Sequence, residues 1–133
     1  MIASKESNNK GSKTVIILDD NEVIRAVLKR LLEAQGFSVR TFACAAEFLE
    51  DTCAQLAPCS QACADVLLSD LAMPGKTGIE LIQEIRENCC LIDKMGLISG
   101  CWTEDMRERA DSLELPAFDK PADLDRLLSW MNV

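Results

Sequence analysis

The sequence has 133 residues, a length that suits one domain with a single hydrophobic core. It carries 22 acidic and 14 basic residues, a formal net charge of -8 with no local basic patch, so we expect neither nucleic-acid binding nor membrane association. No apolar run approaches the roughly 20 residues that span a bilayer, and the N-terminus has no signal-peptide core, which predicts a cytoplasmic protein.

After a flexible polar tail over residues 1–13, short apolar runs alternate with segments of helical periodicity. The predicted strands are Thr14–Leu18, Phe37–Phe42, Ala64–Ser69, Met95–Ile98 and Leu115–Phe118. The predicted helices are Asn21–Gln35, Cys44 to about Leu56, Gly78–Glu87, Thr103–Ser112 and Ala122–Asn132. Continuously apolar strands between amphipathic helices are typical of a parallel sheet covered on both faces. We therefore predict one α/β domain over residues 14–133, with the partly polar second strand at an edge.

Polar side chains follow four of the predicted strands. Asp19 and Asp20 come after the first strand, and Asp70, Ser99 and Lys120 come after the third, fourth and fifth. The carboxyl ends of parallel strands form the ligand crevice of an open sheet, so we expect these side chains to converge. Three carboxylates in one crevice repel each other, so either one stays protonated or a cation neutralises them. Oxygen ligands without His favour Mg²⁺, which suits a few carboxylates together with a phosphate.

Asp70 is the predicted nucleophile of this site, because carboxylates form aspartyl-phosphate intermediates. Lys120 would supply a point charge for one phosphoryl oxygen, and the Ser99 hydroxyl would donate to another. Gly100 leaves room for the group. Each of these residues alone has an ordinary explanation as a turn former or a solvated loop residue. Their joint placement after four strands favours a functional site.

The seven cysteines, in a chain without a secretion signal, indicate thiols rather than disulfides. Cys53, Cys59 and Cys63 cluster before the third strand, but their spacings do not match the C-x-x-C pattern of zinc sites. A structural metal held by thiolates alone is the less favoured alternative. Cys89 and Cys90 are adjacent, and a disulfide between them would be strained, so we predict free thiols.

Four segments resemble the receiver domain of bacterial two-component response regulators. They are Leu18-Asp19-Asp20-Asn21, Ser69-Asp70-Leu71-Ala72-Met73-Pro74-Gly75-Lys76-Thr77-Gly78, Ile98-Ser99-Gly100 and Asp119-Lys120-Pro121. The resemblance extends from about Lys13 to the C-terminus. It implies a flavodoxin-like, doubly wound parallel sheet of five strands in the order 2-1-3-4-5, with five helices.

The resemblance also implies the role of each site residue. Asp70 would accept a phosphoryl group from a histidine kinase or histidine phosphotransfer protein, which must act in trans because the chain has no His. Ser99 and Lys120 would hold the phosphoryl group. The implied Mg²⁺ ligands are Asp19, partly through water, Asp20, Asp70 and the backbone carbonyl of Ala72. Such a chain would be a signalling protein rather than an enzyme, assisting its own phosphotransfer and dephosphorylation and altering its binding to a downstream protein target.

The chain departs from the family pattern in three places. Ala117 stands where the family usually has an aromatic residue, three positions before the lysine, and Phe118 is expected on the other side of the strand. The stretch from Leu56 to Cys63 looks inserted, and no output domain follows before Val133. A methyl group cannot replace the ring that usually couples phosphorylation to the domain surface. Trp102, three residues past Ser99, is the predicted substitute.

The lifetime of an acyl phosphate at Asp70 is expected to be long. In this family the residues two positions beyond the phosphorylated aspartate and beyond the Ser99 position border the path of the attacking water. Here these residues are Ala72 and Cys101, and neither is a good base or water-positioning group. We therefore predict slow self-dephosphorylation.

Three alternatives to a stand-alone response regulator stay open at this point. The first is a small Mg²⁺-dependent phosphohydrolase that uses Asp70, although the short loops leave no cap to hold a substrate. The second is an interaction module that is not phosphorylated. The third is a receiver fragment of a larger hybrid kinase or regulator.

Overall fold

The computed structural model describes residues 13–50, 62–87, 91–120 and 124–132, and these contain five strands and five helices. The strands are β1 (Thr14–Leu18), β2 (Ser38–Phe42), β3 (Ala62–Asp70), β4 (Leu91–Ser99) and β5 (Ala117–Asp119). The helices are α1 (Glu22–Ala34), α2 (Ala45–Phe48), α3 (Gly78–Glu87), α4 (Glu104–Ser112) and α5 (Leu124–Met131). The strands form one parallel sheet in the order β2-β1-β3-β4-β5. The predicted fold class, strand order and edge position of the second strand are confirmed.

The central strands β3 and β4 begin earlier than predicted. Asp93 and Lys94 interrupt the apolar run before Met95, yet Ile92 and Lys94 pair with Ala64 and Val66 of β3. In this region β3 and β4 pair with each other, and the hydrogen bonds between them continue both strands past the polar residues. β5 begins later than predicted, because the Leu115 amide donates to Ala110 at the end of α4 and Pro116 has no amide proton.

The two faces of the sheet carry separate hydrophobic clusters. Ile16 and Leu18 point to the face that α2, α3 and α4 cover, whereas Val15 and Ile17 point to the face that α1 and α5 cover. These four side chains are fully buried. Because a strand buried on both faces cannot shift without exposing apolar surface, the clusters fix the strand ends relative to one another.

The helix starts are set by capping side chains. The Asn21 side chain accepts hydrogen bonds from the Val23 and Ile24 amides at the start of α1. Thr103 accepts from the Met106 amide, which confirms the predicted start of α4. α2 begins at Ala45 and ends at Phe48, and the part of the predicted helix from residue 51 to Leu56 lies outside the described residues.

The free thiols at Cys44, which is partly buried, and Cys101, which is exposed, agree with the prediction for the cysteines. The N-terminal tail, Cys53, Cys59, Cys89, Cys90, the side chain of Cys63 and most of the apparent insertion lie outside the described residues. Among the helices that are described, none has the length and hydropathy needed to cross a bilayer.

Candidate functional site

Asp19 and Asp20 occupy the turn between β1 and α1. The Asp19 amide donates to the Phe42 carbonyl at 3.1 Å, which continues the pairing of β1 with β2 past the last strand residue. The Asn21 amide donates to Asp19 Oδ1 at 2.9 Å. Asp19 is fully buried and Asp20 is exposed. One carboxylate is therefore fixed by the backbone around it, and the other faces solvent.

Asp70 is the last residue of β3, which therefore ends one residue later than the predicted end at Ser69. It pairs with Ile98 of β4, and the Leu71 amide donates to the Ile98 carbonyl at 3.0 Å. The chain then folds back, so that the Gly78 amide donates to the Leu71 carbonyl at 2.9 Å. The Asp70 carboxylate is thus held at the floor of the crevice, and the residue is only 6% exposed.

Ser99 and Lys120 lie at the ends of the two following strands. Ser99 ends β4, and its Oγ accepts a hydrogen bond of 3.1 Å from the Cys101 amide. The Lys120 amide donates to the Ser99 carbonyl at 3.0 Å, directly after β5. Because Ile98 pairs with Asp70, Ser99 lies one residue beyond the level of that carboxylate along the sheet.

The structure brings the three carboxylates and the ammonium together, as the sequence predicted. Asp19, Asp20 and Asp70 each offer an oxygen within 4.8 Å of the others. Lys120 Nζ lies 2.7 Å from Asp19 Oδ2 and 3.3 Å from Asp70 Oδ1. Apart from this ion pair, Asp19 Oδ2 has no hydrogen-bond partner among the described residues. The Lys120 ammonium therefore forms ion pairs with two buried carboxylates.

The burial of Asp70 raises the pKa of its carboxyl group, and the neighbouring Asp19 raises it further. Lys120 and a hydrogen bond from the Ala72 backbone act in the opposite direction. Although burial disfavours the charge of Lys120, the carboxylates of Asp19 and Asp70 raise the pKa of this ammonium above its ordinary value. Lys120 therefore stays positively charged at neutral pH. The negative charge of ionised Asp70 is only partly offset by this lysine, because burial and Asp19 both disfavour it.

The donor set fits a small divalent cation. Three carboxylates against one ammonium leave an excess of two negative charges when all three acids are ionised. Carboxylate oxygens without His or thiolate are ligands typical of Mg²⁺, which keeps several waters and therefore favours a site with an open side. Exposed Asp20 provides such a side.

Three residues support the site in ways that the sequence analysis did not identify. Arg25 Nη1 donates to the Asp19 carbonyl at 2.6 Å, and Asn21 both caps α1 and bonds to Asp19. Gly78 packs against the backbone of Asp70. Asn directly before a helix is a recognised N-cap signal and could have been found. No sequence pattern indicates that Arg25 turns back toward the preceding loop.

The surroundings of Ala117 differ on the two sides of β5. Phe118 is buried in the cluster under α1 and α5, as predicted. Trp102 Nε1 donates to the Phe118 carbonyl at 2.9 Å, so the loop after β4 is joined to β5. Arg107 lies 5.2 Å from the centre of the Trp102 ring and pairs with Asp119 at 3.2 Å.

Known proteins are similar to this chain in sequence and in fold. The profile of the response regulator receiver domain matches residues 15–132. The DNA-binding transcriptional regulator NtrC of Escherichia coli K12 is 32% identical over 121 residues, which are 89% of this chain and 24% of that protein. The two-component response regulator ORR6 of Oryza sativa subsp. japonica is 31% identical over 122 residues, 86% of this chain and 68% of that protein.

A solved structure shows the same architecture. The crystal structure of a response regulator receiver protein from Pseudomonas putida superposes with a TM-score of 0.72 at 26% identity, covering 91% of this chain and 96% of that one. The chain spans about a quarter of the length of the NtrC regulators that it matches.

Proposed function

Since the chain belongs to the response regulator receiver domains of two-component systems, we propose that Asp70 accepts a phosphoryl group from a phosphohistidine. The donor would be a histidine kinase or a histidine phosphotransfer protein. The observation that supports this most directly is the buried Asp70 carboxylate, with the Lys120 ammonium 3.3 Å away and two further carboxylates within 4.8 Å.

The proposed transfer needs one nucleophile and two positioning groups. An oxygen of Asp70 attacks phosphorus, an O–P bond forms, and the N–P bond of the donor breaks. The imidazole leaves with the electron pair and takes up a proton. Lys120 places its positive charge beside one phosphoryl oxygen, and the Ser99 hydroxyl donates to another. In this proposal the domain acts as a signalling protein that assists its own modification.

We assign Asp19, Asp20, Asp70 and the Ala72 carbonyl to an Mg²⁺ site. When bound, the ion offsets the negative charge of the carboxylates and of the incoming phosphoryl group. Replacing Asp20 tests this site without breaking the ion pair of Lys120 with Asp19 and Asp70. We expect Asp20→Asn to weaken Mg²⁺ binding by about tenfold or more, because one ligand charge is lost. Glu22→Gln, on the exposed first turn of α1, is the matched control.

Titration calorimetry with Mg²⁺ alone, without any phosphoryl donor, measures this affinity. Unchanged binding by Asp20→Asn would contradict the assignment. Equal weakening by Glu22→Gln would indicate a general charge effect on this acidic surface instead.

Labelling with a small phosphoryl donor such as acetyl phosphate, or with a phosphorylated histidine kinase, tests Asp70 itself. We expect an acid-stable, alkali-labile acyl phosphate that forms only with Mg²⁺ and disappears in Asp70→Asn. Asp93→Asn, an exposed acid on β4, is the control and should label fully. Full labelling of Asp70→Asn would overturn the proposal. Turnover of small phosphate esters would support a phosphohydrolase instead.

The proposed output is a change in binding to a downstream protein. The E. coli relative is a DNA-binding transcriptional regulator, but this chain spans only 24% of it. Its own charge of -8 disfavours contact with nucleic acid or anionic lipid. Histidine phosphodonors are made from ATP, so we also propose that the domain acts in the cytoplasm.

A further inference from the structure

Arg25, the fourth residue of α1, turns its side chain back toward the acidic site. Its Nη1 donates to the Asp19 carbonyl at 2.6 Å. Side chains on a helix lean toward its N-terminus, which lets Arg25 reach the loop that precedes α1. Within the described ranges of the chain, Arg25 forms no ion pair with a carboxylate. The guanidinium therefore bonds to a backbone oxygen of the loop that carries two of the site's acids.

The oxygen that Arg25 contacts belongs to the peptide group between Asp19 and Asp20. Among the residues that the structure describes, Arg25 is the only hydrogen-bond partner of this peptide group. A peptide group is planar, and its plane includes the Cα atom of the following residue, here Asp20. Arg25 therefore fixes the direction in which the Asp20 side chain leaves the backbone.

Asp20 depends on its backbone for its place in the site. It is exposed, and its carboxylate has no hydrogen bond or ion pair in the part of the chain that is described. One of its oxygens nevertheless lies within 4.8 Å of oxygens of Asp19 and Asp70. Asp19, by contrast, is bonded to the Asn21 amide, and Lys120 pairs with both buried acids. Asp20 is thus the ligand candidate whose position a backbone contact affects most.

The charge of Arg25 does not account for this arrangement. The guanidinium lies at the N-terminal end of α1, where the helix dipole disfavours a cation. A positive charge beside the site would also repel a divalent cation. The favourable interaction of Arg25 at this place is its hydrogen bond to the Asp19 carbonyl.

We propose that Arg25 is a positioning residue for the Mg²⁺ site, holding the peptide between Asp19 and Asp20 so that the Asp20 carboxylate faces Asp19 and Asp70. The inference rests on the Mg²⁺ ligands assigned above, and it adds a residue that touches neither the ion nor the phosphoryl group. Residues that orient metal ligands typically change metal affinity by about 10–100-fold. A single backbone contact belongs at the lower end of that range.

Titration calorimetry with Mg²⁺ alone compares Arg25→Met with Arg30→Met, the matched control at an exposed position of the same helix. Both variants remove one positive charge and introduce a good helix former. We expect Arg25→Met to bind Mg²⁺ about tenfold more weakly, and Arg30→Met to stay within about twofold of the wild type. Arg25→Lys keeps a charged donor and should recover most of the affinity.

The sign of the change separates positioning from a charge effect. If Arg25 acted only through its charge, Arg25→Met would bind Mg²⁺ more tightly, because a repelling cation is lost. Unchanged or tighter binding by Arg25→Met would overturn the proposal. Equal weakening in Arg30→Met would overturn it as well.

A double-mutant cycle tests whether Arg25 acts through Asp20. In an Asp20→Asn background the ligand charge is already absent, so Arg25→Met should weaken Mg²⁺ binding by less than about twofold further. A full tenfold loss in that background would show that Arg25 acts elsewhere and would overturn the proposal. Wild-type affinity in Asp20→Asn alone would overturn the metal assignment together with this inference.

Labelling of Asp70 by acetyl phosphate gives a second measurement. The Mg²⁺ concentration for half-maximal labelling should rise about tenfold in Arg25→Met, and saturating Mg²⁺ should restore the labelling rate. A lower rate at saturating Mg²⁺ with an unchanged half-maximal concentration would contradict a positioning role. The calorimetric titrations need no phosphoryl donor. A failure of Asp70 labelling would therefore disprove the phosphorylation proposal and leave the role of Arg25 standing.

Discussion

The first residue of α3, Gly78, lies directly against the backbone of Asp70. A Cβ atom at Gly78 would overlap the Asp70 carbonyl oxygen and would come within 2.8 Å of a Leu97 methyl group. Since the overlap is with backbone, no rotamer change can relieve it. The missing side chain therefore lets α3 approach the end of β3 closely enough to bury the phosphoacceptor candidate.

We expect Gly78→Ala to destabilise the protein by about 1–3 kcal/mol through overpacking, despite the roughly 1 kcal/mol that Ala gains in a helix. Urea unfolding measures this difference. The same variant should be phosphorylated more slowly, because the Asp70 backbone must move. Gly100→Ala is the matched control, since a Cβ there would meet no atom within 4 Å. Equal stability of the two variants would contradict the close packing.

The raised pKa of Asp70 predicts a pH-dependent stability. Because folding raises the pKa above 3.8, the folded state holds this proton more tightly than the unfolded state does. The resulting stabilisation is complete below about pH 3.8 and is lost as the pH rises through the raised pKa. At neutral pH and without Mg²⁺, the ionised Asp70 therefore lowers the free energy of unfolding.

Replacing Asp70 with Asn should accordingly stabilise the protein at pH 7 in EDTA. We expect a gain of about 1 kcal/mol, a rise in Tm of roughly 3–6 °C, which shrinks as the pH falls toward 4. The exposed acid Asp93 on β4 provides the control, since Asp93→Asn measures the general effect of removing one negative charge. Adding Mg²⁺ should reduce the difference, because the ion stabilises only the protein that binds it. A destabilised Asp70→Asn at pH 7 would contradict this account.

The sequence predicted the sheet well because its strands are apolar on both faces, and only a doubly covered parallel sheet buries such runs. It also predicted that Asp19, Asp20 and Asp70 would meet, because parallel strands end at one edge. The sequence did not predict which neighbouring side chains form the closest contacts within the site. Lys120 lies closer to Asp19 than to Asp70, and this difference depends on atomic packing that no spacing encodes.

The bounds of the strands and the surface near β5 also could not be predicted from the sequence alone. Lys94 looked like a break in the apolar run, but hydrogen bonds from β3 extend β4 past it. Ala117 could be recognised as a missing ring, yet the open hollow that it lines together with Leu115 and Pro116 depends on how α4 and α5 lie across β5. Such tertiary distances follow from the packing of whole elements.

Ala72 and Cys101 predict a long-lived phosphorylated state. Both residues are exposed beside the site, and neither side chain activates a water molecule. We expect Ala72→Asn to accelerate hydrolysis of the Asp70 acyl phosphate by about tenfold, since one hydrogen bond to the attacking water lowers the barrier by roughly 1.4 kcal/mol. The loss of radiolabel after removal of the donor measures this rate. Decay of the Ala72→Asn acyl phosphate at the wild-type rate would argue against the explanation.

Trp102 is the residue best placed to report phosphorylation of Asp70. The Cys101 amide bonds to Ser99 Oγ, and the next residue, Trp102, donates to the Phe118 carbonyl of β5. If the Ser99 hydroxyl turns toward a phosphoryl group, it gives up its acceptor geometry for Cys101, and the loop that carries Trp102 must adjust. The hydrogen bond from Trp102 then transmits the adjustment to β5. The backbone transmits it to α4, which begins two residues after Trp102.

Beryllofluoride, standing in for the phosphoryl group, should therefore change the fluorescence of Trp102 in a Trp130→Phe background. Trp102→Phe keeps a ring but loses the indole hydrogen bond, worth about 1 kcal/mol. It should be phosphorylated at the normal rate, while the beryllofluoride-induced shifts of the α4 amides become smaller. Ser99→Ala should remove the fluorescence response, because no hydroxyl is left to change partners. If beryllofluoride leaves the Trp102 fluorescence unchanged, the ring only packs the loop. The proposed coupling requires the loop that carries Trp102 to move when the Ser99 hydroxyl changes its hydrogen-bond partner.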